Sequence, residues 1–281
     1  MGTRASAIVV HGIWNRRRGV TAEKAATALA AKWTAKLAAG YRAAGLSGPP
    51  PRLAGTYYAH LLDDGAQGES TALDGLTPQE QEWAWSWLLQ LGIPSEVAQG
   101  PLTYPLRQGL DWVARRRQRD AETLGRIMSA FLREVYVYMT RPGVRARCQD
   151  AVMDAVVASG ARVIVAHSLG SVVAYEALCA NPRYEVDLLV TLGSPLALPG
   201  AVFEGLVPEP EGGKGVGPAG VARWVNIADP GDIVAVPARL GDRFPIDRHD
   251  DAYLGLVDFH TLGGYLACGL TAAAIAPYAE P

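Results

Sequence analysis

The chain has 281 residues, 49% of them apolar, and sets 26 basic against 28 acidic side chains for a formal charge of −2 and a pI near 6.2. A chain of this length buries roughly three quarters of its unfolded surface, so it needs neither disulfides nor a structural metal to hold a core. The charge balance argues against a nucleic-acid partner, which calls for a basic excess, and three cysteines (Cys148, Cys179, Cys268) without C-x-x-C spacing exclude a disulfide framework and a zinc ribbon.

No stretch approaches about 18 uninterrupted apolar residues, so no stable membrane insertion is expected. A signal-peptide pattern is missing, which makes a cytoplasmic location the default expectation. Gly2 and Ser6 match the myristoylation pattern, but an apolar strand follows almost at once and the match is read as chance. Two arginine clusters, Arg16 to Arg18 and Arg115 to Arg119, read as solvated surface.

A β-rich run at 7–10 ends at His11-Gly12, and an alanine-rich helix is expected over 21–44. Thr21 can cap that helix, and Ala25, Leu29, Trp33 and Leu37 recur every four residues on one face. Gly48 and the three prolines after it break the helix, and a second strand is expected over 53–61. From 62 to 141 the buried-strand signal vanishes in favour of helical stretches, among them 106–118 and 121–139. Alternation then resumes with a helix over 144–158, a strand over 162–166, a helix over 169–180 and strands over 187–192 and 221–228. Short, nearly all-apolar strands alternating with helices indicate an α/β fold, a doubly wound and mostly parallel sheet covered on both faces. The core is therefore expected at 1–61 and 141–281, with 62–140 a helical cap inserted on it. Glycine and proline crowd 208–220, which is expected to be a mobile loop.

One segment carries chemistry. The strand ending Val165-Ala166-His167 runs straight into a helix opening Leu169-Gly170-Ser171, with Ser168 at the turn between small residues at minus two and plus two. This is the G-x-S-x-G pattern with Ala166 in the first glycine position. Reversing from strand to helix within a few residues strains Ser168, lifts its hydroxyl clear of the sheet and aims the positive helix end at the atom under attack. A serine so placed needs a base, and the base an orienting acid. Asp229 and Asp232 both follow the strand ending at Ala228, where a doubly wound sheet places its site. Asp229 precedes a proline and suits a turn cap, so Asp232 is favoured. Among the five histidines His260, just before a final apolar helix, is favoured over His249, which lies in a charged run. His167 adjoins the serine but is expected to point away from it, because neighbouring strand residues alternate faces.

On these residues the chain resembles the α/β-hydrolases of the serine esterase and lipase kind, over residues 5–60 and 141–275, with the insertion unmatched. The resemblance implies the triad order Ser168, Asp232, His260. His11-Gly12-Ile13-Trp14 is similar to the H-G-x loop of that family, which implies oxyanion donors at the main-chain N–H groups of Ile13 and Leu169, with His11 bracing the loop. The implied activity is hydrolysis of an ester or thioester through an acyl-enzyme, with no cofactor and no metal. Acyl transfer, peptide cleavage or a non-catalytic interaction module are the alternatives on the same fold. Trp83, Trp85 and Trp87 cannot share one helical face. Together with Trp14 and His167 they are the candidate substrate-binding residues for a small-molecule substrate with an apolar acyl group, the alternative being that the three insertion tryptophans only join cap to core.

Overall fold

The computed structural model describes residues 7–63, 73–94 and 103–278. Gly2 and Ser6 lie outside the described residues. Among the described residues six strands form one sheet in the order β2-β1-β3-β4-β5-β6, with every neighbouring pair parallel. The strands are β1 Ala7–Val10, β2 Leu53–Gly55, β3 Val163–His167, β4 Leu188–Leu192, β5 Trp224–Ala228 and β6 Arg248–Asp251.

Strands β1, β3, β4 and β5 are buried along their whole length. Their side chains divide by parity: Ile8, Val10, Ile164, Ala166 and Leu189 join one apolar cluster, while Ala7, Val9, Val163, Val165, Leu188 and Val190 join another. That division is the period-two alternation of a sheet covered on both faces. Helix α1, Ala22–Ala43, turns the expected face of Ala25, Leu29, Trp33 and Leu37 inward and is capped by the Thr21 hydroxyl, which accepts from the Lys24 N–H. It covers one face together with α8 (Leu262–Ala267) and α9 (Leu270–Ile275).

The other face carries α5 (Pro142–Ser159) and α6 (Leu169–Ala180), and over them α2 (Pro78–Gln90), α3 (Thr103–Arg116) and α4 (Ala121–Thr140). The described residues from 73 to 140 form helices joined by short turns, and apolar side chains among them, such as Trp87, Leu106 and Phe131, belong to the same cluster as Ile8, Val10, Ile164 and Ala166. A short helix α7, Gly255–Asp258, precedes α8. The chain leaves β1 toward β2 on one side and returns at β3 on the other, so the sheet order reverses between β1 and β3. In open parallel sheets that reversal opens a crevice at the carboxyl ends of the strands.

Three expectations are corrected. The second strand stops at Gly55, because the Tyr58 N–H turns to His11 Nε2 (3.3 Å) and its ring stacks on His11 (4.2 Å between centroids), which breaks the ladder. The segment 208–220 is tied down: Glu211 and Lys214 pair through their main chains, the Gly215 N–H donates to Arg243 O, and the Tyr175 hydroxyl donates to Val216 O. The run around His249 is strand β6, whose charged residues defeat an apolar-pattern search. A charged, half-exposed strand is how an edge avoids pairing with another chain.

Candidate active site

The loop after β1 and the turn after β3 meet at the sheet reversal. Ser168 stands at φ 54° and ψ −134°, outside the strand and not yet in α6. Such a conformation costs a non-glycine residue about 1–3 kcal/mol and persists only where packing imposes it. The packing is visible in two glycines: a Cβ on Gly12 would stand 2.5 Å from the Ser168 Cβ, and one on Gly170 would stand 2.3 Å from the His11 carbonyl oxygen. The 11–13 loop is thus laid directly on the first turn of α6, and only glycine fits at either contact. The Ser171 hydroxyl donates to Ser168 O at 2.6 Å and pairs with Ser194 Oγ at 2.6 Å, which fixes the turn from below.

Ser168 Oγ lies 3.0 Å from His260 Nε2, and His260 Nδ1 lies 2.8 Å from Asp232 Oδ2. The other oxygen of Asp232 accepts from the N–H groups of Val234 (2.9 Å) and Ala235 (3.4 Å). Asp229 is used differently. Its carboxylate accepts from the N–H groups of Gly231 (2.6 Å) and Leu254 (2.7 Å), closing its own turn and pinning the segment that leads to His260. His249 points elsewhere, toward Asn226 (2.9 Å) and Asp251 (3.1 Å).

His11 is fully buried and braces the loop. Its Nδ1 pairs with Gly12 O at 2.8 Å and its Nε2 accepts from Tyr58, and burial lowers its pKa to about 4. A neutral ring with one donor and one acceptor nitrogen fits both contacts.

His167 corrects an expectation. Its ring centroid is 4.9 Å from that of His260, so it faces the site. Alternation does place it on the opposite face from Ala166, but Ser168 has already left the strand, and the rule no longer separates 167 from 168. Burial, then the neighbouring His260 and His11, push its pKa well below the usual value, so it packs under His260 as a neutral ring.

Of the two readings of the insertion tryptophans, the packing agrees with the one in which they join cap to core. A cavity of about 600 Å³ opens beside His260, and its apolar walls are Trp14, Leu124, Ile127 and Phe259. None of Trp83, Trp85 and Trp87 lines it. Trp87 is wholly buried against Phe131, with its indole N–H donating to Ile233 O, while Trp83 and Trp85 are half-buried against the same core. The signal that could have found the true walls is the i, i+3 spacing of Leu124 and Ile127 near the capped start of α4. Trp14 is 56% exposed at the cavity with φ 61°. Ser168 itself has no exposed surface, whereas His260 is 7% exposed, so the cavity reaches the base before it reaches the hydroxyl.

The strained Trp14 is held by α4: its N–H donates to Glu134 Oε1 at 3.1 Å. Glu134 Oε2 is out of contact with solvent and has no partner, and burial pushes this carboxyl up to about 7. The folded protein therefore keeps a proton that the unfolded chain releases near pH 4.5. Stability falls as pH rises between those values, and the cost is complete above about pH 7. Glu134→Gln removes that dependence. Urea unfolding of the two proteins from pH 4.5 to 8 should show the variant gaining on the parent as pH rises; parallel curves would contradict the assignment.

Among the described residues no group of three or more His, Cys, Asp or Glu side chains is placed to hold a metal ion, and no helix is long and apolar enough to cross a membrane. Cys148 is buried, which pushes its thiol up to about 12, away from thiolate chemistry. No family model, curated protein or solved structure matches the chain.

Proposed function

We propose that the protein is a serine hydrolase that cleaves an ester or thioester bond through an acyl-enzyme. The observation that carries this reading is the unbroken chain from Ser168 Oγ through His260 to Asp232, set at a strained strand-to-helix turn. His260 takes the Ser168 proton at Nε2 as Oγ attacks the carbonyl carbon, and Asp232 holds the imidazole and stabilises its charge. The oxyanion is received by the N–H groups of Ile13 and Leu169, the latter at the positive end of α6. His260 then protonates the leaving alcohol or thiol and, in the second half, draws a proton from water as it attacks the acyl carbon. Residues 62–140 act as a cap, since α4 supplies the wall of the cavity facing His260. A cavity of this volume with Leu124, Ile127, Phe259 and Trp14 in its walls suits an apolar acyl group larger than acetyl.

A fluorophosphonate probe tests the reading, because it reacts covalently only with an activated serine. Labelling of the parent and its loss in Ser168→Ala are expected, together with higher kcat/KM on medium-chain than on acetyl esters. Equal labelling of both proteins would sink the assignment of the nucleophile, and a preference for acetyl esters would sink that of the cavity.

A further inference from the structure

We propose that Tyr265 is a positioning residue that sets the basicity of the Ser168 and His260 pair by sharing Asp232 Oδ2 with His260. The inference rests on the reading of these three residues as the reacting groups. Asp232 Oδ2 receives two donors, His260 Nδ1 at 2.8 Å and the Tyr265 hydroxyl at 2.8 Å. The phenol oxygen in turn accepts from the Asp229 N–H at 2.9 Å, so its own proton is directed at Asp232. Tyr265 is fully buried on α8, five residues after His260, and burial followed by the charge of Asp232 pushes its pKa well above the usual value. It is a donor over the whole working range of the enzyme.

The crowding is specific to this pair. Gly193, at the end of β4, has φ 52°, and a Cβ there would stand 2.7 Å from Asp232 Oδ2 and 2.9 Å from the Tyr265 ring. Only glycine at 193 leaves room for the phenol to reach the carboxylate. A donor on Oδ2 withdraws charge from the oxygen that stabilises the imidazolium, so the phenol weakens the pull of Asp232 on the His260 proton. The other titratable or charged groups facing His260 and Asp232 are His167 from β3, Asp229 at the end of β5, Arg117 just after α3, whose charge reaches Asp232, and Arg119, whose guanidinium lies 4.4 Å from the Phe259 ring. All of them remain in a variant that changes only the phenol.

The test is the pH profile of kcat/KM for the full chain. In Tyr265→Phe the low-pH midpoint should move upward by roughly half a pH unit, because Asp232 then serves His260 alone. Site-specific 3-fluorotyrosine at 265, a stronger donor of nearly the same shape, should move the midpoint downward and keeps the question open to measurement if the phenylalanine variant does not fold. A purely structural role would lower kcat without opposite shifts, and unmoved midpoints or shifts of one sign would overturn the inference. Fluorophosphonate labelling of the parent separates the two failures: with Ser168-dependent labelling intact, an unmoved midpoint defeats the role of Tyr265 alone, and without it the hydrolase reading and this inference fall together.

Discussion

With His260 replaced by alanine, kcat on an ester or thioester should fall by about 10⁴ to 10⁶, with the far-UV circular dichroism unchanged. A serine hydroxyl is a weak nucleophile at neutral pH, and His260 Nε2 at 3.0 Å is the base within reach of its proton. In the proposed mechanism the ring is also the acid that protonates the leaving group, so its loss should slow both halves of the reaction. His249→Gln is the matched control: that ring bonds Asn226 and Asp251 on the sheet edge, and its loss should leave kcat within about twofold of the parent. Retention of a tenth of the parent rate by the His260 variant would mean that another group activates Ser168.

The largest expected effect on stability comes from a different residue. Arg145→Ala should destabilise the protein by about 3 kcal/mol, read as a lower urea midpoint with an unchanged m-value. Glu176 is 1% exposed, and its carboxylate is paired with the Arg145 guanidinium. It also accepts from the Tyr138 hydroxyl (2.6 Å), the Gln149 amide (3.0 Å) and the Val207 N–H (2.9 Å). This one side chain ties α4, α5, α6 and the 206–207 segment together. Deleting the guanidinium leaves a buried carboxylate without its counter-charge, and that is the costly way to break such a pair. A single variant as stable as the parent would show that the other three donors suffice.

The parallel sheet was legible because β1, β3, β4 and β5 are fully buried strands, and burial on both faces demands runs of apolar residues that periodicity detects. Strand β6 was not, since an edge strand is under the opposite constraint and Arg248-His249-Asp250-Asp251 carries no apolar signal. The strain at Ser168 was readable from the small residues at 166 and 170. The placement of His167 was not, because the face-alternation rule holds only while the chain remains in the strand.

By itself the sequence determined an α/β chain with parallel strands, a serine at a strand-to-helix turn, and the order in which an acid and a histidine follow it. These are local matters, decided by which residues neighbour one another along the chain and by the side-chain volume a turn can admit. The tertiary structure alone decided which of Asp229 and Asp232 touches the histidine, that Tyr265 and Gly193 crowd the same carboxylate, and that α4 rather than the tryptophans of α2 walls the cavity. Those contacts join residues that meet only when the strands are stacked in order, and no spacing along the chain records the distance between two loops at the end of a sheet.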